Sequence, residues 1–285
     1  MRHVLITPNT FQILDFQKDQ NPYVDPSNNS KHKIMKEHAQ VVSKVEEATI
    51  YTINAPKGKP LPDIVFVANG GFSLWGLPEP IMILPQMKYK QRKDELPYLK
   101  EICVDQQLFA IDFPTTDVFE GQAEAKWFHN GRLLVCGYGH RATKKSFAVL
   151  DKLLKHIYSL YNRPAPKLLV LPLESADYYH LDVAMLEFND DSCIVHKRAF
   201  SPESIKKLRA ALGSSKVHVI DTDDSFCLNA VVQRKTLLTH LLTEDVKRFL
   251  EKKTGLKVIQ NDTDIFEKSG GSVRCMILDI HPIKD

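Results

Sequence analysis

The chain has 285 residues, of which 43% are hydrophobic and 26% are charged. This balance is typical of a globular protein with a sizeable core, and the length suits one large domain or two ordinary ones. The formal net charge of +3 is too small to indicate nucleic-acid binding, and no aromatic-interleaved basic stripe is present. No apolar run approaches the ~18 residues of a membrane span, so we expect no membrane partner.

The predicted elements begin with a buried strand over residues 2–6, which is too short for a signal peptide. Residues 31–47 predict a helix, residues 48–53 predict a strand, and a Pro/Gly-rich loop follows over 54–62. Four further helices are predicted later in the chain, the last of them ended by a glycine. They cover residues 92–103, 144–161, 202–212 and 243–254.

A short polar segment that leads into an apolar strand recurs five times along the chain. Its marker residues are separated by 51, 62, 47 and 46 residues. Five units of roughly 50 residues favour radial repetition about an axis, with the polar markers in one central hole. The alternative is that they are unrelated strand starts in an open α/β sheet, and spacing alone leaves both open. The markers are Asn69, Glu120, Asp182, Asn229 and Cys275.

The five cysteines lie far apart, at positions 103, 136, 193, 227 and 275. No pair has the C-x-x-C spacing, so zinc and thioredoxin-like chemistry are poorly supported. An odd and sparse set is typical of reduced thiols in a cytosol-like compartment, which predicts a cytoplasmic protein. Cys136 and Cys193 lie inside apolar runs and are predicted to be core residues.

Cys275 follows the pair Gly270-Gly271 and precedes an apolar run that predicts a short strand. Two glycines allow a tight turn with close backbone approach. A thiol at the rim of a strand, beside Arg274, suits a nucleophile, although a free cysteine is more often a small buried hydrophobe. The local sequence therefore indicates a candidate nucleophile and leaves the core alternative open.

A thiolate nucleophile needs a neighbouring acid/base group, and His180 is the best candidate among the 11 histidines. Asp182 is two residues away, on the same face of a predicted strand, so both side chains would enter one pocket. The alternative is that His180 and Asp182 form a hydrogen-bonded pair at the protein surface. A metal site is a weaker one, because no third ligand has a useful spacing.

Six segments in order resemble the amidinotransferase superfamily of guanidine-modifying enzymes. The resemblance covers essentially the whole chain and implies a single domain over residues 1–285. It also implies a five-bladed α/β propeller, the pentein fold, which agrees with the five repeats. The segments are 69–71, 119–121, 137–141, 180–182, 229–231 and 270–275.

The resemblance implies Cys275 as nucleophile, His180 as general acid/base, and Glu120 and Asp182 as the carboxylates that hold a guanidinium. The chemistry suits these residue types, because carboxylates bind a planar guanidinium bidentately. The thiolate would attack the guanidino carbon and form an amidino-thioether that water then hydrolyses. The expected enzyme is a hydrolase of C–N bonds in linear amidines, with no metal, no organic cofactor and possibly a homodimeric state.

The substrate class is narrowed by four positions that match the superfamily. Deiminases and dimethylarginine hydrolases generally carry an aspartate where this chain has Asn69, and an amide there resembles the arginine dihydrolases. Asn21, within Asn-Pro-Tyr, points the same way. Arg92 and Arg141 stand where the family has arginines that grip the substrate α-carboxylate. The resemblance therefore implies conversion of arginine to ornithine, carbon dioxide and two ammonia.

Three departures from the family pattern leave the substrate open: Val24, Gly70 and Glu124 replace residues that are usual there. A dimethylarginine dimethylaminohydrolase or an arginine deiminase, with citrulline as product, is therefore the main alternative. An amidinotransferase, in which an amine resolves the intermediate, is another. A non-catalytic binding propeller is the last, and the joint presence of cysteine, histidine and two carboxylates argues against it.

Overall fold

The computed structural model describes residues 1–27, 29–56 and 58–284. Fifteen strands lie within these ranges, and most are only three to six residues long. They are β1 (Arg2–Ile6), β2 (Ala48–Tyr51), β3 (Phe72–Ser73), β4 (Ile81–Leu84), β5 (Phe109–Asp112), β6 (Ala125–Phe128), β7 (Leu133–Tyr138), β8 (Lys167–Pro172), β9 (Met185–Asn189), β10 (Ser192–His196), β11 (Val217–Ile220), β12 (Val231–Gln233), β13 (Thr236–His240), β14 (Lys257–Asn261) and β15 (Leu278–Ile280).

Eight α-helices, together with short 3₁₀ turns, connect these strands in the part of the chain that the structure describes. None of these helices is both long and apolar enough to cross a membrane. The helices are α1 (Lys31–Val42), α2 (Lys90–Lys93), α3 (Leu96–Asp105), α4 (Lys144–Leu160), α5 (Leu181–Ala184), α6 (Pro202–Leu212), α7 (Glu244–Thr254) and α8 (Asp264–Glu267).

The strands form five sheets of three, and every sheet has the same pattern. The strand nearest the centre is antiparallel to the middle strand, and the middle strand is parallel to the outer one. These sheets are the blades of a five-bladed α/β propeller, so the predicted repeat is confirmed and the open-sheet alternative is wrong. The inner strands are β3, β6, β9, β12 and β15, and the ring closes where β1 pairs with β15.

Each marker residue precedes the inner strand of its own blade by a few residues. Asn69 lies before β3, Glu120 before β6 and Asp182 before β9, while Asn229 and Cys275 lie before β12 and β15. Because the inner strands of a propeller all start at the same end of the axis, the five polar side chains gather there. The repeat therefore explains how residues up to 206 positions apart come to share one site.

Two predicted helices differ from the structure, one at its C-terminal end and the other by a break within its length. The helix predicted over 31–47 ends at Val42, because the chain turns at Glu47 (φ 50°) so that β2 can pair with β1. The helix predicted over 92–103 is two helices, and Pro97 in the first turn of α3 favours a new start there. The loop predicted over 54–62 includes residue 57, which lies outside the described residues.

The other helices agree closely with prediction and bury one face each. In α4, Phe147, Leu150 and Leu154 recur at helical spacing and pack on the β6–β7–β8 sheet. The helix begins at Thr143, whose hydroxyl accepts a hydrogen bond from the Ser146 amide at 3.2 Å. Cys136 and Cys193 are fully buried core residues, as predicted.

His240 on β13 is a buried cation that links the loop at Asp224 to helix α8. Its Nε2 lies 3.0 Å from Asp224 Oδ2, and its Nδ1 lies 3.0 Å from Glu267 Oε1. Burial alone would lower the pKa of His240, but the two carboxylates outweigh it and raise the pKa to about 9. The folded state therefore keeps this proton to a higher pH than the unfolded state, whose histidine has a pKa of about 6.5.

We expect His240→Gln to destabilise the protein in a pH-dependent way. The stabilisation by His240 is present below about pH 6.5 and is lost as pH rises through about 9, so the loss should reach about 3 kcal/mol at pH 5.5 and nearly vanish at pH 9.5. Urea unfolding at both pH values measures it. His156→Gln, at an exposed position of α4, is the matched control. An equal loss at both pH values would contradict the ion-pair interpretation.

Candidate active site

Cys275 lies in a 3₁₀ turn, Arg274–Met276, immediately before β15 rather than within a strand. Its side chain is 5% exposed. Asn229 holds the turn, because its Oδ1 accepts the amides of Arg274 at 2.9 Å and Cys275 at 3.3 Å. Asn229 Nδ2 then lies 3.2 Å from Cys275 Sγ, and Asp182 Oδ2 lies 3.7 Å from the same sulfur.

The Gly-Gly pair brings the loop before Cys275 against two other side chains. Gly270 has φ +91°, and a Cβ there would lie 2.7 Å from the side chain of Asn21. A Cβ on Gly271 would lie 2.3 Å from the ring of Phe66. Asn21 Nδ2 donates to the carbonyl of Ser269 at 3.2 Å. The predicted tight turn is therefore confirmed, and it seats Asn21 beside the nucleophile loop.

His180 caps the short helix α5, so the prediction that His180 and Asp182 share a strand face is wrong. The physical reason is that the chain makes one helical turn there, which sends the two side chains to different partners. His180 Nε2 donates to Glu120 Oε2 at 2.7 Å, whereas Asp182 turns towards Cys275. The carboxylate that orients His180 is therefore Glu120, which is 60 residues away in the chain.

Glu120 also binds a guanidinium group that belongs to the protein itself. Arg141 Nη1 lies 3.1 Å from Glu120 Oε2, and the amide of Lys88 donates to Oε1 at 2.9 Å. The Arg141 guanidinium lies 4.7 Å from the ring centre of Tyr89 and 4.9 Å from that of Tyr179. Such stacking suits a planar, weakly hydrated cation. The site thus already holds one guanidinium between a carboxylate and two aromatic faces.

Asn69 has a fixed amide orientation, which the structure assigns through Arg92. Arg92 Nη1 donates to Asn69 Oδ1 at 2.8 Å, and arginine has no acceptor, so the oxygen must face Arg92. Asn69 Nδ2 therefore points the other way and lies 3.5 Å from His180 Nε2. Arg92 itself is buried and bound by both oxygens of Glu95 at 2.9 Å. Its assignment to the substrate carboxylate stays a prediction.

Burial dominates the proton affinities of the site. It raises the pKa of the Cys275 thiol, with the nearby Asp182 charge adding to the effect. It also raises the pKa of Asp182, and it lowers the pKa of His180 against the opposing influence of Glu120. For Glu120, burial is outweighed by Arg141 and the His180 hydrogen bond, which hold its pKa below the ordinary value. In the substrate-free site Cys275 is therefore a thiol and Glu120 a carboxylate.

A cavity of about 20 Å³ connects these side chains, which is room for roughly one water molecule. Six of the eight predicted site residues line it. The other two lie behind this lining, where Glu120 contacts His180 and Asp182 contacts Cys275. A substrate the size of arginine can enter only after side chains move. The six are Asn21, Asn69, Arg92, Arg141, His180 and Cys275.

Sequence reasoning did not assign three residues that the structure brings into this site. Asn229 is a repeat marker to which the sequence assigns no chemical role. Tyr179 is the residue immediately before His180, and that position is the signal that could have indicated it. Glu124 is buried, and its pKa is raised well above the ordinary value by burial and by the Glu120 charge.

Donor atoms of Glu120, Glu124 and His180 lie within 4.8 Å of one another, which is close enough for a metal ion. The Arg141 guanidinium already supplies a cation at Glu120, so charge balance needs no metal there.

Residues 2–282 match the model of the family described as N,N dimethylarginine dimethylhydrolase, eukaryotic. The chain belongs to this family. The resemblance to the amidinotransferase superfamily is thereby confirmed, and the match spans all five blades.

Two curated relatives and one solved structure extend the comparison. The bifunctional arginine dihydrolase/ornithine cyclodeaminase ArgZ of Synechocystis sp. is 24% identical over 262 residues, which are 90% of this chain but only 35% of the relative. The dimethylarginine dimethylaminohydrolase of Mycobacterium tuberculosis is 26% identical over 229 residues, 78% of this chain and 67% of the relative. The product-bound N-terminal domain of ArgZ superposes with a TM-score of 0.83 at 23% identity, covering 99% of this chain and 98% of that domain. This structural likeness confirms the propeller fold.

We expect the substrate-free thiol of Cys275 to react slowly with iodoacetamide at neutral pH, because only a thiolate is alkylated and burial raises the pKa of this thiol. The alkylation rate should keep rising with pH beyond about 9, above the ordinary cysteine pKa of about 8.5. Mass spectrometry of the peptide that contains Cys275 measures the rate, with Cys275→Ser as the blank. A plateau below about pH 8 would show instead that the thiolate is stabilised before substrate binds.

Proposed function

We propose that the protein is a cysteine-dependent hydrolase of the guanidino C–N bond of arginine or an N-substituted arginine, and that it acts as an arginine dihydrolase. Ornithine, ammonia and carbon dioxide would be its products. The observation that carries the proposal is the Arg92–Asn69 hydrogen bond of 2.8 Å, which turns the neutral amide donor of Asn69 away from Arg92 and towards the side of the site where His180 lies. The relative ArgZ, named as an arginine dihydrolase, supports the same substrate.

Substrate binding follows from the guanidinium that Glu120 already holds. A substrate guanidinium that replaces Arg141 at Glu120 leaves the buried charge unchanged, and carboxylates bind this group bidentately. Arg141, once released, is then available for the substrate α-carboxylate, and Asp182 faces the same space from the sulfur side. The cationic substrate also favours the thiolate of Cys275 over the thiol, which offsets the cost of burial.

The chemical steps use Cys275 and His180 in turn. The thiol proton passes to His180 as the sulfur bonds to the guanidino carbon, giving a tetrahedral adduct. His180 returns that proton to the leaving nitrogen, the C–N bond breaks, and ammonia departs. Water then loses a proton to His180 and attacks the amidino-thioether carbon. The C–S bond breaks, the sulfur regains its proton from His180, and the remaining hydroxyl proton leaves to solvent as the carbonyl group forms.

The second round depends on Asn69. The first round on arginine leaves a ureido group, whose carbonyl oxygen is an acceptor without charge. Asn69 Nδ2, held by Arg92, can donate to this oxygen, so the product of the first round is bound as a substrate of the second. A carboxylate at this position would repel the same oxygen.

A dimethylarginine hydrolase is the second candidate, because the family description and the Mycobacterium tuberculosis relative both name that activity.

The cellular setting belongs to the same proposal. We infer a cytoplasmic enzyme that works as a homodimer on a small guanidino substrate. All five cysteines are free and buried, which supports a reducing compartment.

Cys275→Ser should reduce turnover to no more than a trace, because a serine hydroxyl with an ordinary pKa is a far weaker nucleophile. The fold should remain, since Asn229 Nδ2 can donate to the serine oxygen as it does to the sulfur. Ammonia release and thermal unfolding measure the two effects. Cys103→Ser makes the same change in a buried thiol of α3 and should keep its turnover. Substantial activity in Cys275→Ser would refute the proposed nucleophile.

Asn69→Asp should stop the reaction largely at citrulline, because the ureido oxygen would then face an anion instead of a donor. The wild type should release ornithine and two equivalents of ammonia from each arginine. Mass analysis after exhaustive incubation distinguishes these products, and Asn54→Asp adds the same charge at an exposed position as a control.

Two other results would reassign the enzyme. Citrulline as the sole wild-type product would identify a deiminase. Release of dimethylamine from dimethylarginine, without turnover of arginine, would identify a dimethylarginine hydrolase.

A further inference from the structure

A second cavity, of about 220 Å³, lies at the other end of the propeller axis. We call it the axial cavity. The catalytic residues precede the inner strands, whereas aromatic residues of the axial cavity, such as Phe72 and Trp127, lie within those strands, so the two cavities lie towards opposite ends of the axis. All five blades contribute to its wall. Their contributions include Phe72 of β3, Trp127 of β6, Phe188 of β9, Val232 of β12 and Asp279 of β15.

Aromatic side chains form one part of the wall. Phe72 and Trp127 stack with ring centres 5.2 Å apart, and Phe188 and Trp75 line the same space. Flat rings of this kind suit an aromatic or otherwise apolar ligand body. The cavity volume is below the ~300 Å³ at which sites for drug-sized molecules begin, so the occupant has the size of a small metabolite.

Two buried cations form the polar part of the wall, and each has donors to spare. The Arg274 side chain is 5% exposed and donates from Nη2 to Asp279 Oδ2 at 2.8 Å. Its Nε is buried and finds no acceptor among residues 1–27, 29–56 and 58–284. Lys126, 4% exposed, has three N–H donors and binds Glu187 at 3.0 Å. A buried donor without an acceptor destabilises the folded state, and an incoming carboxylate would relieve this cost.

The side chains around Arg274 leave its Nε donor without an acceptor in the described part of the chain. Asp279 is shared, because His3 Nδ1 also lies 2.8 Å from its Oδ1. His281 lines the same cavity, and burial lowers its pKa to about 4, so near neutral pH it adds no charge. Its Nδ1 is a second buried polar atom without a partner in the described chain.

We propose that the axial cavity binds a small carboxylate that carries an aromatic body. The carboxylate lies between Arg274 and Lys126, and the ring lies against Phe72, Trp127 and Phe188. The site is separate from the catalytic cavity and independent of the proposed hydrolase reaction. A ligand here contacts Arg274, the residue immediately before the nucleophile.

The two tryptophans of the chain, Trp75 and Trp127, both line this cavity, so tryptophan fluorescence reports on it directly. We expect phenylacetate to change the fluorescence of the full-length protein saturably. Phenylacetamide has the same ring and no charge, and it should bind at least about tenfold more weakly, since a charged hydrogen bond contributes about 1.5–3 kcal/mol. Cys275→Ser should bind phenylacetate as the wild type does.

Val232→Phe fills part of the cavity and should weaken phenylacetate binding at least about tenfold. Val104→Phe makes the same change at a position that is 78% exposed on α3 and should leave binding unchanged. The proposal is overturned if phenylacetate gives no saturable change, if phenylacetamide binds equally well, or if Val232→Phe binds as the wild type does. The comparison of the two probes on the wild type decides the matter even if Val232→Phe fails to fold.

Discussion

The closure of the ring by β1 and β15 is the constraint on which the rest of the structure depends. Arg2, His3 and Val4 pair with Ile280, Asp279 and Leu278 in antiparallel register. Because Cys275 stands three residues before β15, this pairing fixes the nucleophile relative to the other four blades. The contact between His3 Nδ1 and Asp279 Oδ1, at 2.8 Å, adds a side-chain hydrogen bond across the same seam. A blade built from both chain ends therefore holds the residue on which the chemistry depends.

The cluster of buried charge around Glu120 is the second constraint, since isolated charges are costly to bury. Arg141 neutralises Glu120 in the substrate-free site, and Tyr89 and Tyr179 cover the faces of the guanidinium. The protein is thus folded around a complex of carboxylate and guanidinium before any substrate arrives. In the proposed reaction, a guanidino substrate would exchange one such complex for another, so that Glu120 keeps a cationic partner.

The spacing of the five polar markers favours five radial units but does not exclude an open α/β sheet, and the resemblance to the amidinotransferase superfamily is what implies the propeller. The hydrogen-bond partners within the site could not be predicted from the sequence in the same way. His180 has Asp182 two residues away, yet its carboxylate partner is Glu120, and only the packing of two blades decides this. Similarly, nothing in the sequence near Asn69 indicates that Arg92 fixes its amide. The aromatic residues that line the axial cavity, such as Phe72 and Trp127, occupy strand positions whose apolar character is the same as that of core residues.

One short stretch of backbone connects the two ends of the axis. Arg274 lines the axial cavity, and Cys275 lines the catalytic one, so adjacent residues face opposite ends. Asn229 binds both of their amides, while Asp279 binds the Arg274 guanidinium from β15. A displacement of Arg274 therefore acts on the turn that carries Cys275, whose Sγ lies only one residue beyond it. The radial fold, which separates the two cavities in space, makes them neighbours along the chain.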